Sequence, residues 1–578
     1  MPTEPLPTPT GTLSELLRTL AAERPQAEAL AYPGFAFGGR ELRLSFAQLD
    51  ARVDALARGL MAWGVQARDA VALWSVNVPD WIPLEYALAR VGAVLVTVNT
   101  ALSADEVAYV LRQSGARWVL HPTRNGSNEC SSTLDELLSR PDVPLPRLAG
   151  RAWLPAAPHE RPPEGVLTTG VEAAAGTSPA RPRGRLPSLE ELVDRGGQIS
   201  AQLLASREAG CLPGDVVNVQ YTSGTTGLPK GVMLSHVNLL STAVALGHQL
   251  TLRPDDRTVL MVPLFHCFGC VVVVLASHVR RAAICAIQAF EPADALRLIE
   301  DERCTVLFGV PTMFAAMLAD PALKQRNTRT LRTGFAAGAP CPEALMHDII
   351  TQLHCAGMSV AYGLTEAAPG VSGSRPDDSV EVRCQTIGKP LRGVDVRLVD
   401  LDTHKDVPEG QTGELWARGP NVMLGYHDDA RATASAIVEG GWLRTGDLAR
   451  RREDRNLVIV GRAKEIIIRG GENIAPAEVE SALRSHPDIL DAAVVGVPHE
   501  RYGEEVACAV VLRQGATLNP AAYEAHLTGH LAPFKQPAHW RAVERFPLTG
   551  SGKVQRYKLA QQMAAQLGRA DQDQGDDA

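Results

Sequence analysis

From about residue 50 onward, apolar positions switch between two periods. Val53, Leu56, Leu60 and Trp63 recur at helical spacing, the signature of a helix with one buried face. Val71-Ala72-Leu73-Trp74 then forms a short apolar run that reads as a buried strand. Trp81 to Arg90 reads as a helix, and Ala93-Val94-Leu95-Val96-Thr97-Val98 as the next strand. Helix and strand in turn predict an α/β protein with parallel sheets covered by helices. Further strands are expected at 216–220, 258–262 and 305–310.

The pattern changes near Gly461. Pro476 opens a helix expected to reach Ser485, a position proline tolerates in a first helical turn. Strands follow at 492–497 and 506–512, which together suggest a small α+β domain. A chain of 578 residues exceeds what one hydrophobic core can serve. The expected division is 1–461 and 462–578. The stretch 141–190 holds ten of the forty prolines, with interspersed arginines and little apolar periodicity. It reads as an irregular surface insertion without chemistry. The polar, acidic tail from about 569 reads as disordered.

Composition removes several function classes. The net charge of −8 offers no basic footprint for nucleic acid. The longest apolar run, near Cys270 to Ser277, is too short to span a bilayer. The first ten residues lack the basic and apolar regions of a signal peptide, and the cysteines follow no disulfide framework. These features predict a cytoplasmic enzyme. Cys267 and Cys270 form a C-x-x-C, but no second pair stands at metal spacing. They are read as small pocket or core residues rather than a zinc or redox site.

The segment Tyr221-Thr222-Ser223-Gly224-Thr225-Thr226-Gly227-Leu228-Pro229-Lys230-Gly231 follows an apparent strand. Glycines allow close backbone approach, consecutive N–H groups can cradle an anion, and Lys230 adds positive charge. That combination suits a polyphosphate. It is not a Walker A loop, because Pro229 and Gly231 flank the lysine.

Together with Tyr362-Gly363-Leu364-Thr365-Glu366, Thr445-Gly446-Asp447, Gly461-Arg462-Ala463-Lys464 and Pro547 to Lys553, this segment resembles the adenylate-forming superfamily. That group contains acyl-CoA synthetases, adenylation domains of peptide synthetases and firefly-type luciferases. The resemblance runs from about residue 11 to 560, with the five motifs in family order. It implies a large N-terminal domain of parallel and mixed sheets wrapped by helices, plus a small mobile C-terminal lid.

The resemblance also implies roles. Thr222, Ser223, Gly224, Thr225, Thr226, Gly227 and Lys230 would hold the β- and γ-phosphates of ATP. Tyr362 and Gly363, with Gly338, Ala339 and Pro340, would line the nucleotide. Thr365 would bind phosphate and Glu366 would hold Mg²⁺, a hard cation that takes oxygen ligands. Asp447 and Arg462 would contact the ribose. Lys553 would bridge the acid's carboxylate and the α-phosphate, offsetting their repulsion. Lys464 matches the family's hinge, and Gly471 the glycine beside the tunnel for coenzyme A. Lys553 also sits in a context that resembles an acetylation site of bacterial relatives.

His266 stands where amino-acid-activating relatives carry an aspartate, so an α-amino acid would lose its counter-charge. It is either a gate at the acyl site or a core histidine. Gly363 stands where acetate-specific relatives carry a tryptophan, which suggests a deeper pocket. Phe268, Gly269, Val310, Met313, Phe314 and Ala337 are the other wall positions, mostly apolar. The whole pattern looks most like medium-chain acyl-CoA synthetases. The expected activity is an ATP-dependent acid–CoA ligase. A stand-alone enzyme loading a carrier protein, or an aryl or long-chain ligase, is the alternative. Its expected partners are small molecules, namely the acid, ATP and CoA. Peripheral membrane contact and a homodimer stay open.

Overall fold

The computed structural model describes residues 11–125, 128–140, 145, 147–156, 160–166, 183–222, 229–469, 472–528, 531–548 and 554–568. They divide into two compact units. The first comprises residues up to Thr222, Pro229–Val396 and Ala417–Leu443; the second comprises Arg397–Trp416 and the chain from Arg444 onward. The division after Leu443 falls N-terminal to Gly461.

The first unit holds two mixed sheets. One has nine strands in the order Lys389–Pro390, Ser372–Gly373, Gly357–Tyr362, Thr333–Ala337, Val306–Gly309, Arg257–Leu260, Ala283–Ala286, Glu28–Tyr32 and Leu42–Ser45. The six strands from Gly357–Tyr362 to Glu28–Tyr32 run parallel. Strands such as Val306–Gly309 and Ala283–Ala286 are buried at every position, as parallel strands covered on both faces must be. Val259, Leu307, Ala336, Met346 and Val360 share one core cluster with the neighbouring helices.

The other sheet has seven strands, in the order Gly425–Tyr426, Lys230–Ser235, Val216–Thr222, Val94–Thr97, Ala70–Leu73, Trp118–His121 and Gly150–Trp153. The periodicity beginning at Val53 belongs to the helix Phe46–Trp63, which buries Val53, Leu56 and Leu60. Ser45 and Gln48 form its capping box, and Gly64 at φ 106° ends it in the left-handed region that glycine accepts most readily. The helix Trp81–Arg90 has the bounds its spacing predicts.

The stretch 141–190 departs from its expectation. Gly150–Trp153 is a fully buried strand, parallel to Trp118–His121 at the edge of the seven-stranded sheet. Arg151, with no side-chain exposure, is bonded to Asp135. Glu164–Val166 pairs with Arg183–Arg185, and Ser188 with Glu191 caps the helix Leu189–Arg195. The described prolines, Pro155, Pro162, Pro163 and Pro187, flank these short elements rather than abolishing them. Residues 167–182 and the tail from 569 lie outside the described residues.

In the second unit, Ile489–His499 and Gly503–Leu512 form a long antiparallel pair. Val479 and Leu483 of the helix Pro476–Arg484 pack with Val494, Val506, Cys508 and Val510. Leu559 and Met563 of the helix Arg556–Gln566 join Val495, Val497, Ala507 and Ala509 in a further cluster. The alternation of apolar positions along these strands makes both clusters possible. This is the small α+β arrangement that the sequence predicts.

Among the described residues, no helix is long and apolar enough to cross a membrane. The run at Cys270 lies instead in the buried π-helix Phe268–Leu275. None of the ten cysteines is in a disulfide. Burial pushes the Cys270 thiol well above its ordinary value, which disfavours the thiolate that metal or redox chemistry needs. Among the described residues, one group has metal-ligand spacing, Glu28, Cys285 and Glu302. Arg43 and Arg257 pair with both of its carboxylates, so it is an ion-pair network.

Candidate active site

Arg257–Leu260, Val306–Gly309, Thr333–Ala337 and Gly357–Tyr362 are neighbours and parallel. Their C-terminal ends therefore open onto one edge of the sheet, where ligands of open α/β sheets bind. The segments that leave this edge carry Phe265, His266 and Phe268 from the first strand, and Val310 and Met313 from the second. Ala337, Gly338, Ala339 and Pro340 leave the third, and Tyr362 to Glu366 the fourth. Register fixes the last two, because Ala337 lies opposite Ala361. The Cys267 thiol lies 3.7 Å from the Thr365 hydroxyl and so ties the first strand end to the fourth. Cys267 is buried, 7% exposed.

The phosphate-loop motif is anchored on two antiparallel strands. Thr222 closes Val216–Thr222, Lys230 opens Lys230–Ser235, and the two residues are paired directly. Ser223, Gly224, Thr225, Thr226 and Gly227 lie outside the described residues. Lys230 is exposed, and its ammonium lies 5.0 Å from the centroid of the Tyr426 ring. The Tyr426 hydroxyl donates a 2.8 Å hydrogen bond to Glu366 Oε1. Burial first, and then the Glu366 charge, push the phenol above its ordinary value. Backbone bonds reinforce the contact: the N–H of Met423 donates to the Glu366 carbonyl at 2.9 Å. The side-chain amide of Asn421, 2% exposed, donates to the carbonyls of Ala367 and Gly370. Ala368 sits in the left-handed region at φ 51°, so the turn carrying Thr365 and Glu366 is held in a conformation alanine does not choose alone.

The glycines here have specific causes. A Cβ on Gly363 would stand 1.6 Å from the Pro369 carbonyl oxygen. The side-chain direction at Gly363 thus points into the chain's own backbone, and only its main chain is exposed. The Pro369 backbone thus requires glycine at this position, whatever the depth of the acyl pocket. The same holds for Gly269, whose Cβ would meet the Pro263 carbonyl at 2.3 Å. Gly338 has φ 84° and faces Val310 Cγ1, so a left-handed turn demands it.

Phe314 also departs from its expectation. It is fully buried in the core cluster of the nine-stranded sheet, against Gly309, and does not present an accessible wall. Val310, Met313 and Ala337 are partly exposed, as are His266 and Phe268. Phe268 meets Phe308 edge-on at 6.4 Å.

In the second unit, Asp447 and Arg462 are direct cross-strand partners, with Nε to Oδ1 at 2.8 Å. Thr445-Gly446-Asp447 lies within the strand Trp442–Arg451, and a residue the sequence reading passed over holds it there. Glu414, 3% exposed, accepts hydrogen bonds from the Gly446 N–H, the Trp416 indole and Arg444. Gly446 takes φ 72°. Lys464 is exposed in the 3₁₀ turn Ala463–Glu465 between two strands. Gly471 and Lys553 lie outside the described residues.

Tyr426, Asn421 and Glu414 were missed for one reason. Each stands in an unremarkable stretch, and each reaches a motif residue, or for Asn421 the turn just after one, from a distant part of the chain. The local signals, Gly425-Tyr426 and Gly413-Glu414, mean little without the fold.

Comparison with known proteins places this geometry. The family model described as AMP-binding enzyme matches residues 17–427, and the AMP-binding enzyme C-terminal domain matches 478–553. The Bacillus subtilis (strain 168) protein YngI, which carries an acyl-CoA synthetase designation, is 39% identical over 95% of this chain and 96% of its own. The Danio rerio mitochondrial medium-chain acyl-CoA ligase ACSF2 is 34% identical over 97% of this chain and 90% of its own. Among solved structures, ATP-bound MatB from Rhodopseudomonas palustris superposes with a TM-score of 0.77 at 27% identity, covering 96% of this chain and 99% of that one.

Proposed function

The chain belongs to the AMP-binding enzyme family, and on that premise we propose an acid–CoA ligase whose acid is a medium-chain fatty acid. The reaction consumes the acid, ATP and CoA and gives acyl-CoA, AMP and diphosphate. In the first half, a carboxylate oxygen attacks the α-phosphorus and diphosphate leaves. In the second, the CoA sulfur attacks the acyl carbonyl and AMP leaves.

One observation carries this reading. The ends of the first and fourth strands and the strand pair of the phosphate-loop motif are tied together at Thr365 and Glu366, through Cys267, Tyr426 and Lys230. Glu366 is a carboxylate beside the Thr365 hydroxyl, with one oxygen held by Tyr426. That all-oxygen donor set fits a magnesium ion shared with substrate phosphates. When bound, the ion neutralises phosphate charge. Lys230 and Thr222 take the phosphates, Tyr362 offers its ring to adenine, and Asp447 accepts from the ribose hydroxyls. Lys553 supplies the cation that lets carboxylate and phosphate approach. Lys464 is the pivot between half-reactions.

The acid assignment draws on the name of the 34%-identical medium-chain ligase and on the apolar character of Phe268, Val310, Met313 and Ala337. Each buried methylene contributes about 0.8 kcal/mol, roughly fourfold in kcat/KM. Diphosphate release measured across acids of two to eighteen carbons, with and without CoA, tests the whole reading. A maximum between about six and twelve carbons, with CoA-dependent turnover, is expected. A flat profile or CoA-independent turnover would refute it.

A further inference from the structure

Two charged groups of the site, Lys230 and Glu366, come from different sheets of the first unit. One side chain touches both. Tyr426 presents its ring face to the Lys230 ammonium at 5.0 Å and its hydroxyl to Glu366 Oε1 at 2.8 Å. We propose that Tyr426 is a positioning residue that orients the Glu366 carboxylate for the metal–nucleotide complex and seats the Lys230 ammonium for the phosphates. This rests on the reading of the site as an ATP site.

The geometry favours orientation over simple packing. A hydrogen bond to one carboxylate oxygen fixes the plane of the group and directs its second oxygen. Lysine, by contrast, carries a point charge on a flexible four-carbon stem, and an aromatic face within 6 Å limits where that charge rests. Tyr426 can do both only if it is itself immobile, and the structure holds it from three sides. Val232 pairs with it across the Lys230–Ser235 strand. Its backbone N–H donates to Thr433 Oγ1 at 2.9 Å, and that hydroxyl donates in turn to the Asp429 carbonyl at 2.8 Å. The flanking residues are pinned as well: the N–H groups of Leu424 and His427 donate to the carbonyls of Met233 and Gly231. The segment that carries Tyr426 also bonds the Glu366 backbone through Met423. A shift of the phosphate strand and a shift of the acidic turn are thereby coupled through one ring.

Two substitutions separate the functions. Tyr426→Phe keeps the ring face and deletes the donor. It should raise the Mg²⁺ concentration for half-saturation about tenfold or more, as expected for losing a hydrogen bond to a charged group. The ATP KM at saturating Mg²⁺ should stay near the wild-type value. Tyr426→Leu deletes both contacts, and should raise the ATP KM at saturating Mg²⁺ by roughly two- to fivefold as well. The binding counterpart is calorimetric titration of a non-hydrolysable ATP analogue at stepped Mg²⁺, where Tyr426→Phe should show the same displaced metal dependence. A melting temperature lowered in both variants with wild-type Mg²⁺ dependence would reduce Tyr426 to a structural rivet and overturn the proposal. Wild-type protein that binds no analogue at any Mg²⁺ concentration would instead sink the underlying reading, and this inference with it.

Discussion

Acidification should weaken the first unit before its arginine-paired carboxylates titrate. Three buried histidines set this behaviour. His121, His236 and His278 are each pushed down to about 4, in every case chiefly by burial. Their contacts explain why the neutral rings are preferred. His236 Nδ1 accepts the Leu13 N–H at 3.1 Å, so a proton there would oppose a donor. His278 meets the Tyr86 hydroxyl at 2.8 Å inside the core, and His121 lies near Arg151. Unfolded histidine takes up a proton near 6.5. The sign is therefore fixed: these groups give full stability above about pH 6.5, and lose it as pH falls from there toward 4. Each costs up to about 1.4 kcal/mol per pH unit in that window.

One group opposes them. Glu85 is 2% exposed, neither of its oxygens has a hydrogen-bond partner among the described residues, and burial raises it well above the ordinary carboxylate value. Kept protonated in the fold, it stabilises more as pH falls toward its unfolded value near 4.5, at about the same slope with opposite sign. Three protons gained on unfolding, less one lost, leave a net slope of about 3 kcal/mol per pH unit. Asp54, Asp135, Asp256 and Glu302 act only at lower pH. Burial alone would raise them, but arginine partners, preceded at Asp135 by the Val166 N–H, hold them below their ordinary values. Urea unfolding followed by tryptophan fluorescence should give a midpoint that falls steeply between pH 6.5 and 5. Glu85→Gln should steepen that fall by about half. A flat midpoint across this window, or parallel curves for the two proteins, would refute the reasoning.

Four further outcomes follow from the site. Gly363→Ala should cost about 1–3 kcal/mol or more and reduce diphosphate release at least tenfold, because the Pro369 backbone must move; melting and activity at wild-type values would contradict this. Glu414→Gln removes the buried carboxylate that accepts from Gly446, Trp416 and the partly exposed Arg444; it should destabilise by about 1–3 kcal/mol and raise the ATP KM through the displaced Gly446-Asp447 segment, which urea titration and initial rates will read. Lys553→Ala should abolish acyl-adenylate formation yet spare thioester synthesis from supplied acyl-adenylate; equal loss of both contradicts its role. Lys464→Pro, which fixes φ at the pivot, should slow thioester formation more than adenylation in single-turnover assays.

The sequence by itself determined the elements and the family. Apolar runs such as 306–309 must be buried strands wherever the chain goes, and the spacing of Val53, Leu56 and Leu60 commits that stretch to a helix. The five ordered motifs carried the resemblance to the adenylate-forming superfamily, and the metal and ribose roles are what that resemblance implies. What the tertiary structure alone decided lies between segments distant in sequence. It turned the proline-rich stretch around Arg151 into a sheet edge, since its partner strand Trp118–His121 supplies the hydrogen bonds that its own composition does not advertise. It crowded Gly363 against the Pro369 backbone, and withdrew Phe314 into the core. It also brought Tyr426 between Lys230 and Glu366. The physical reason is common to all of these: a side chain's neighbours are fixed by strand order and register, and those are set by the packing of whole sheets rather than by the residues beside it in the chain.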